Sequence, residues 1–280
     1  MRLEYFLPSP QVQNLLTIHA VVEGVTEARV EVLPAMLPNL YIRTAGESRL
    51  MFADGRLIDA PPVTLIGPTT SAYRVTLGRG CRMAVVGLLP LGWARLVRMP
   101  GVDYADGLLD GADIWGDPAI AELVERLSTA PFDGSHVDPI ERFLTRTVIG
   151  APDHLLHHLA GIDHWLEHSP SLSLDELCAQ LDVGARHMRR LTLDCYGASP
   201  KTLAMKYRAL RTATVLCQGN SADTDAAMRA YADQAHMIRD FRRFVGWTPA
   251  AFLRDQHNIA AATLTGRRKA GATRPLVLWS

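Results

Sequence analysis

The stretch from Thr224 to Pro249, TDAAMRAYADQAHMIRDFRRFVGWTP, decides how the rest of the chain is read. It holds a short apolar helical pattern, a polar turn around Asp233, and a second helical pattern. In the second pattern Met237, Ile238, Phe241 and Phe244 recur at the spacing of one helix face, and Arg239, Arg242 and Arg243 fall outside it. Two short helices around a tight turn, the second studded with arginine, have the sequence form of a helix-turn-helix, which lays its second helix in a DNA groove.

The chain contains this pattern twice. Ser173-Leu174-Asp175-Glu176 reads as a capping box, in which the serine hydroxyl and the glutamate each satisfy a free backbone amide at a helix start. Leu174, Leu177, Cys178 and Leu181 form the inner side of that helix, Asp182-Val183-Gly184 makes the turn, and Met188, Leu191 and Cys195 face inward on the next helix. Arg186, Arg189 and Arg190 are then outward. A shift of 49 residues lays His187 on His236, Met188 on Met237, Arg190 on Arg239, Gly197 on Gly246, Ser199 on Thr248, Pro200 on Pro249 and Leu203 on Phe252. In each unit the glycine stops one helix and the Ser/Thr-Pro pair starts the next. Between the units, Pro200 to Cys217 is an uninterrupted helical pattern closed by Gly219-Asn220. At 1.5 Å per residue it spans about 27 Å, comparable with the roughly 34 Å between successive major-groove faces of one DNA side. That spacing suits a pair of recognition helices entering adjacent turns.

Residues 160 to 255 resemble the DNA-binding domain of the AraC/XylS family of bacterial transcription regulators, and YADQAHMIRDFRRFVGWTPAAFL is similar to that family's signature. The resemblance implies two helix-turn-helix units joined by a long helix and bound to promoter DNA. Carried over, the first recognition helix is Ala185 to Cys195, with Arg186, His187, Arg189 and Arg190 at the groove or its phosphates. The second begins at Gln234 and offers Gln234, His236, Arg239, Arg242 and Arg243. Three positions depart from the family pattern: Gly184 replaces a capping serine, Thr192 a large apolar residue, and Ala230 a glycine. Further toward the N-terminus, LIGPTTSAYRV and the strand after it resemble a cupin-like domain, which in such regulators senses an effector or mediates dimerisation.

The N-terminal half has a different periodicity. From Leu15 to Gly87 apolar and polar residues alternate in the manner of strands, with turns at Gly, Pro and Asp. One expected hairpin turns at Asp54-Gly55, and another joins Tyr73-Val75-Leu77 to Cys81-Met83-Val85 through Gly78-Arg79-Gly80. Many short strands imply an antiparallel β-barrel, ending near residue 115. Asp117-Pro118 and Asp138-Pro139 then open helices. The expected fold is thus multidomain: a cupin-like antiparallel β-barrel with trailing helices (1–135), a helical linker (136–169), an all-α double helix-turn-helix domain with its long joining helix (170–256), and a flexible basic tail (257–280).

Enzyme chemistry has little to build on. A metal-binding β-barrel uses two or three clustered histidines and a carboxylate, and the strand region offers only His19. Arg43, Arg49, Arg56, Arg74, Arg79 and Arg82 read as a solvated outer face. His154, His157, His158, His164 and His168 crowd residues 153–168, and two of their pairs are spaced i,i+4, but a polar helix face accounts for them. No catalytic residue, cofactor or metal is therefore expected. Cys81, Cys178, Cys195 and Cys217 lack paired spacing and read as buried thiols.

Charge separates along the chain. Residues 1–150 carry 13 basic and 17 acidic side chains, whereas 170–256 carry 12 and 9, and 257–280 carry 4 and none. The basic half is the half with the repeat, which favours a polyanion partner there. No apolar run approaches the roughly 18 residues of a membrane span and the N-terminus lacks an export signal, so a cytoplasmic protein is expected. The expected partners are double-stranded promoter DNA and RNA polymerase, with a small-molecule effector and a second copy of the chain as candidates. The competing readings are a metabolite-modifying or metal-binding cupin-like enzyme with an auxiliary helical domain, and an architectural protein that binds DNA without reading sequence.

Overall fold

Two antiparallel sheets build the N-terminal half of the computed structural model, which describes residues 1–148, 150, 152–218, 227, 231, 233–255 and 259–280. The larger runs β1 (Arg2–Phe6), β2 (Leu16–Glu23), β9 (Arg82–Leu88), β4 (Asn39–Ala45), β7 (Val63–Ile66) and β10 (Leu108–Asp110). The smaller runs β3 (Arg29–Leu33), β8 (Tyr73–Leu77), β5 (Ser48–Met51) and β6 (Leu57–Asp59). The sheets are not closed into a barrel, which corrects that part of the sequence expectation.

The hairpin expected between Tyr73 and Val85 is absent for a related reason. β8 pairs with β3 and β5, whereas β9 pairs with β2 and β4 in the other sheet. Between them Gly78 N donates to Glu47 O (2.8 Å) and Gly80 N to Val25 O (2.8 Å), so the glycines carry the chain across from one sheet to the other. The Asp54-Gly55 hairpin does form, joining β5 to β6, with Gly55 at φ +86°.

Val22, Leu33, Tyr41, Leu50, Tyr73, Val75 and Met83 fill the space between the sheets. The other face of the larger sheet is covered by helices. These are α1 (Pro90–Leu96), α2 (Gly111–Trp115), α3 (Asp117–Thr129) and α4 (Val137–Thr147). There Val21, Ile42, Leu65, Val86, Trp93, Leu127, Ile140 and Leu144 share a second core. Covered on both sides, β2 is buried from Leu16 to Val22 without the polar alternation of a half-exposed strand. His19 lies buried in it, with Nε2 3.1 Å from Oε1 of Glu141 on α4, which also accepts from Ser9 N at 2.9 Å. The lone strand histidine thus ties a helix to the sheet.

The C-terminal half is helical: α5 (Asp153–His168), α6 (Leu174–Leu181), α7 (Ala185–Tyr196), α8 (Pro200–Gln218), α9 (Gln234–Val245), α10 (Pro249–Arg254), α11 (Ile259–Lys269) and α12 (Pro275–Leu278). Its core includes Leu159, Trp165, Leu177, Tyr196, Leu203, Tyr207, Phe241 and Phe252, and continues into Ile18, Ala35, Leu37 and Leu89 of the β half. The segment read as a flexible tail is instead folded onto the protein from Ile259 onward. Leu276, Val277, Leu278 and Trp279 are buried, Trp279 Nε1 donates to Thr214 Oγ1 (2.7 Å), and buried Arg267 donates to Val277 O and Ser280 Oγ (2.8 Å each). Four consecutive large apolar residues outweigh the entropy of a free end. Cys81 and Cys195 are buried thiols as expected, but Cys217 is exposed.

Candidate nucleic-acid interface

The duplication read in the sequence recurs in the backbone. α7 and α9 each have 12 residues and begin and end 49 positions apart. Each is stopped by a glycine in the left-handed region, Gly197 at φ +69° and Gly246 at φ +92°. Ser199 and Thr248 then cap the following helices, accepting from Thr202 N and Ala251 N at 3.2 Å. The helix entering the first unit starts less regularly. Ser173 accepts from Glu176 N at 3.4 Å, but Glu176 takes its own bond from Ser171 Oγ (2.8 Å), so the capping box is only half formed. The first helix of the second unit, including Ala230, lies outside the described residues.

Burial sorts the recognition helices into two faces. Met188, Leu191, Thr192, Cys195 and Tyr196 are buried on α7, and Met237, Asp240, Phe241, Phe244 and Val245 on α9. Arg186, Arg189 and Arg190 are exposed on the first, and Gln234, Arg239, Arg242 and Arg243 on the second. His187 and His236 are half-buried and engaged with protein. The His187 ring lies 5.5 Å from that of His158, and its Nδ1 accepts from Arg190 Nη2 at 3.3 Å. His236 Nε2 is 3.4 Å from the buried Asp240 carboxylate. The two histidines therefore sit at the border between scaffold and groove face.

The joining helix α8 has 19 residues, about 28 Å at 1.5 Å per residue. It carries a feature the sequence reading missed. Lys206 is 2% exposed, and its Nζ donates to Met36 O (2.8 Å) and Thr69 O (2.9 Å) of the β half. Burial pushes its pKa down to about 7, with Asp106 opposing weakly. A neutral amine has two hydrogens to donate, and two carbonyls receive them.

Both helix-stopping glycines also meet the β half. A Cβ on Gly197 would lie 2.3 Å from Pro68 Cγ and 3.0 Å from Gly101 O, and one on Gly246 2.5 Å from Val32 Cγ1 and 3.1 Å from Ala72 Cβ. Ala72 N donates to Arg243 O and Ala35 N to Phe244 O, both at 2.7 Å. Residues 67–72 between β7 and β8 thus touch the first unit, the joining helix and the second unit in turn. Asp106 braces this loop, accepting from Thr70 N at 2.8 Å. No local pattern in the sequence could have announced such a contact.

The histidines of α5 pair along the helix, with ring centroids 6.2 Å apart for His154 and His158 and 4.5 Å for His164 and His168. Among the described residues no group of three or more His, Cys, Asp or Glu side chains is placed to hold a metal ion, and no described helix is long and apolar enough to cross a membrane.

Paired recognition helices with buried apolar faces and exposed arginines are the geometry of a DNA-binding domain. Residues 177–255 match the family model described as a helix-turn-helix domain. Residues 177–255 are thus a helix-turn-helix domain, a module that binds DNA. None of the curated proteins matched the sequence. Among solved structures, ToxT from Vibrio cholerae in its P21 crystal form is 11% identical, with 84% of this chain and 97% of that one covered at a TM-score of 0.49. A ToxT structure from strain SCE256 with an unsaturated fatty acid bound is 9% identical, covering 90% and 94% at 0.46. The AraC-like transcriptional activator CuxR is 13% identical, covering 68% and 79% at 0.29. These likenesses are too distant to carry the assignment.

Proposed function

We propose that the chain recognises a specific promoter sequence with α7 and α9. In this reading Arg186, Arg189, Arg190, Arg239, Arg242 and Arg243 contact phosphates and base edges, with Gln234, His187 and His236 beside them. The observation that carries it is the repeated frame: two 12-residue helices, 49 positions apart, each with a buried apolar face and exposed arginines on the other. RNA polymerase is the partner at the promoter, in the cytoplasm, and a second copy of the chain is a candidate for the adjoining half-site. We also place a small effector in the N-terminal half. A cavity of about 60 Å³ between the sheets, lined by Met36, Tyr41, Thr263 and the buried Arg267 among others, supports that placement.

The test is selection of operators from a random duplex pool with the full-length chain, followed by fluorescence anisotropy on the selected and scrambled duplexes. Arg190→Ala and Arg239→Ala are each expected to weaken binding by about 1–3 kcal/mol where the arginine makes a bidentate guanine contact. Equal affinity for selected and scrambled duplexes overturns sequence specificity. Binding indifferent to salt overturns phosphate recognition.

A further inference from the structure

The β half brings an arginine of its own to the second recognition helix. Arg74 lies on β8, two residues beyond Ala72, whose amide donates to the carbonyl of Arg243 at 2.7 Å. The strand ladder holds Arg74 opposite Val32 on one side and Met51 on the other, so its backbone is fixed within the smaller sheet. Side chains two apart on a strand share a face, which puts Arg74 on the side where Ala72 meets α9. The result is an open cleft of about 450 Å³ between the domains, and Arg74, Arg242 and Arg243 all line it.

The electrostatics of this cleft are one-sided. Its other lining residues are Val32, Met51, Phe52, Ala53, Ser71, Ala72, Tyr73 and Gly246, none of them acidic. All three arginines are exposed, and none belongs to an ion pair among the described residues. Elsewhere on the same sheet Arg29 pairs with Glu31 and Arg49 with Asp59, and in the turn between β5 and β6 Arg56 pairs with Asp54. Three uncompensated guanidiniums beside one another repel, and a polyanion relieves the repulsion. Arg242 and Arg243 occupy the last turn of α9. In related docking geometries the far end of a recognition helix runs against the sugar-phosphate backbone while its start reads bases.

We propose that Arg74 is a DNA-phosphate contact supplied by the N-terminal domain, extending the footprint of the second helix-turn-helix unit onto the β sheet. The proposal rests on the operator-binding reading above. It makes the β half a direct participant in affinity, and any change that shifts β8 against α9 then alters the salt dependence of binding.

The experiment compares the wild-type full chain with Arg74→Ala, Arg74→Glu and the charge-matched control Arg79→Ala, each titrated onto a selected operator duplex at rising NaCl. Arg79 is also exposed but sits beyond the far end of β8. Arg74→Ala is expected to weaken binding on selected and scrambled duplexes by similar factors and to lower the slope of log K against log salt by about one. Arg74→Glu weakens it further, and Arg79→Ala keeps the wild-type slope. A wild-type slope in Arg74→Ala, or an equal drop in Arg79→Ala, overturns the proposal while leaving operator binding intact. Failure of the wild-type chain to bind any duplex overturns both. Circular dichroism of each variant separates loss of contact from loss of fold.

Discussion

The two helix-turn-helix units share one frame but are held in different ways. The first is anchored by a side-chain hydrogen bond and a close fit: Tyr196 OH donates to Asp163 Oδ1 of α5 at 2.6 Å, and Gly197 lies against Pro68 and Gly101. The second is anchored by backbone, through the amides of Ala35 and Ala72 on the carbonyls of Phe244 and Arg243. Their cores differ at equivalent positions, Thr192 and Cys195 in the first against Phe241 and Phe244 in the second. Thr192 is tolerated because its Oγ1 donates to Arg189 O (3.0 Å) within its own helix. Repetition of a motif therefore sets the helix frame, while its surroundings decide what keeps it in place.

The sharpest break of this comparison is at the equivalent core positions. Phe244→Ala should cost about 3–5 kcal/mol by opening a large cavity, whereas Cys195→Ala should cost roughly 1 kcal/mol. Urea titrations read by circular dichroism measure both, and equal costs would mean the two cores are packed alike.

The helix-stopping glycines come next. Alanine at Gly197 takes a strained positive φ and drives a Cβ toward a backbone oxygen as well as Pro68, for an expected cost of about 2–3 kcal/mol. At Gly246 the obstructing atoms are the Val32 γ-methyl and the Ala72 Cβ, with no backbone oxygen among them, so Gly246→Ala should cost somewhat less, about 1–2 kcal/mol. The reverse order in thermal melts would show that the backbone-anchored unit is the more rigid.

Lys206 stands between the units and adds a pH dependence. Its folded pKa of about 7 lies below the ordinary lysine value, so from about pH 7 upward the unfolded chain holds the proton that the folded one releases. Stability from this group rises with pH across that window and is lost as pH falls toward the folded value. The buried thiols of Cys81 and Cys195, raised to about 11 and 12, act oppositely only once pH exceeds the ordinary thiol range. Between about pH 7 and pH 8.5 the wild type should gain on the order of 1–2 kcal/mol relative to Lys206→Met. Parallel pH profiles for the two proteins would remove Lys206 from the account.

The smallest effect separates the helix starts. Asp233 accepts from His236 N at 2.7 Å, whereas Gly184 offers no side chain. Asp233→Ala should cost about 1 kcal/mol, and Gly184→Asp should gain a few tenths. A gain at Gly184 as large as the loss at Asp233 would erase the asymmetry in capping.

Much of the candidate interface was legible in the sequence. The 49-residue offset, the stopping glycines and the exposed arginines all depend on neighbours within a turn or two, and the folded chain keeps them. The half-formed capping box at Ser173 marks the limit of that reading, because Ser171 competes for Glu176. Less of the β half was legible. Alternation located strands, but the partner of each strand is a long-range choice, and Gly78 to Gly80 serve a passage between sheets as readily as a hairpin. The terminal segment misled for a similar reason: its basic, small-residue start resembles a free tail, while Pro275 to Trp279 has a hydrophobic surface to fill that only the assembled fold provides.

The sequence by itself determined the helix-turn-helix domain, since helix period, caps and charge placement are short-range properties written residue by residue. Tertiary structure alone decided that the sheets stay open, that Lys206 is buried between the halves, and that residues 67–72 meet both units. Those outcomes depend on the fit of surfaces far apart in the chain. Burial then changes what the same residues do, turning a lysine into a near-neutral amine and placing a strand arginine beside a recognition helix.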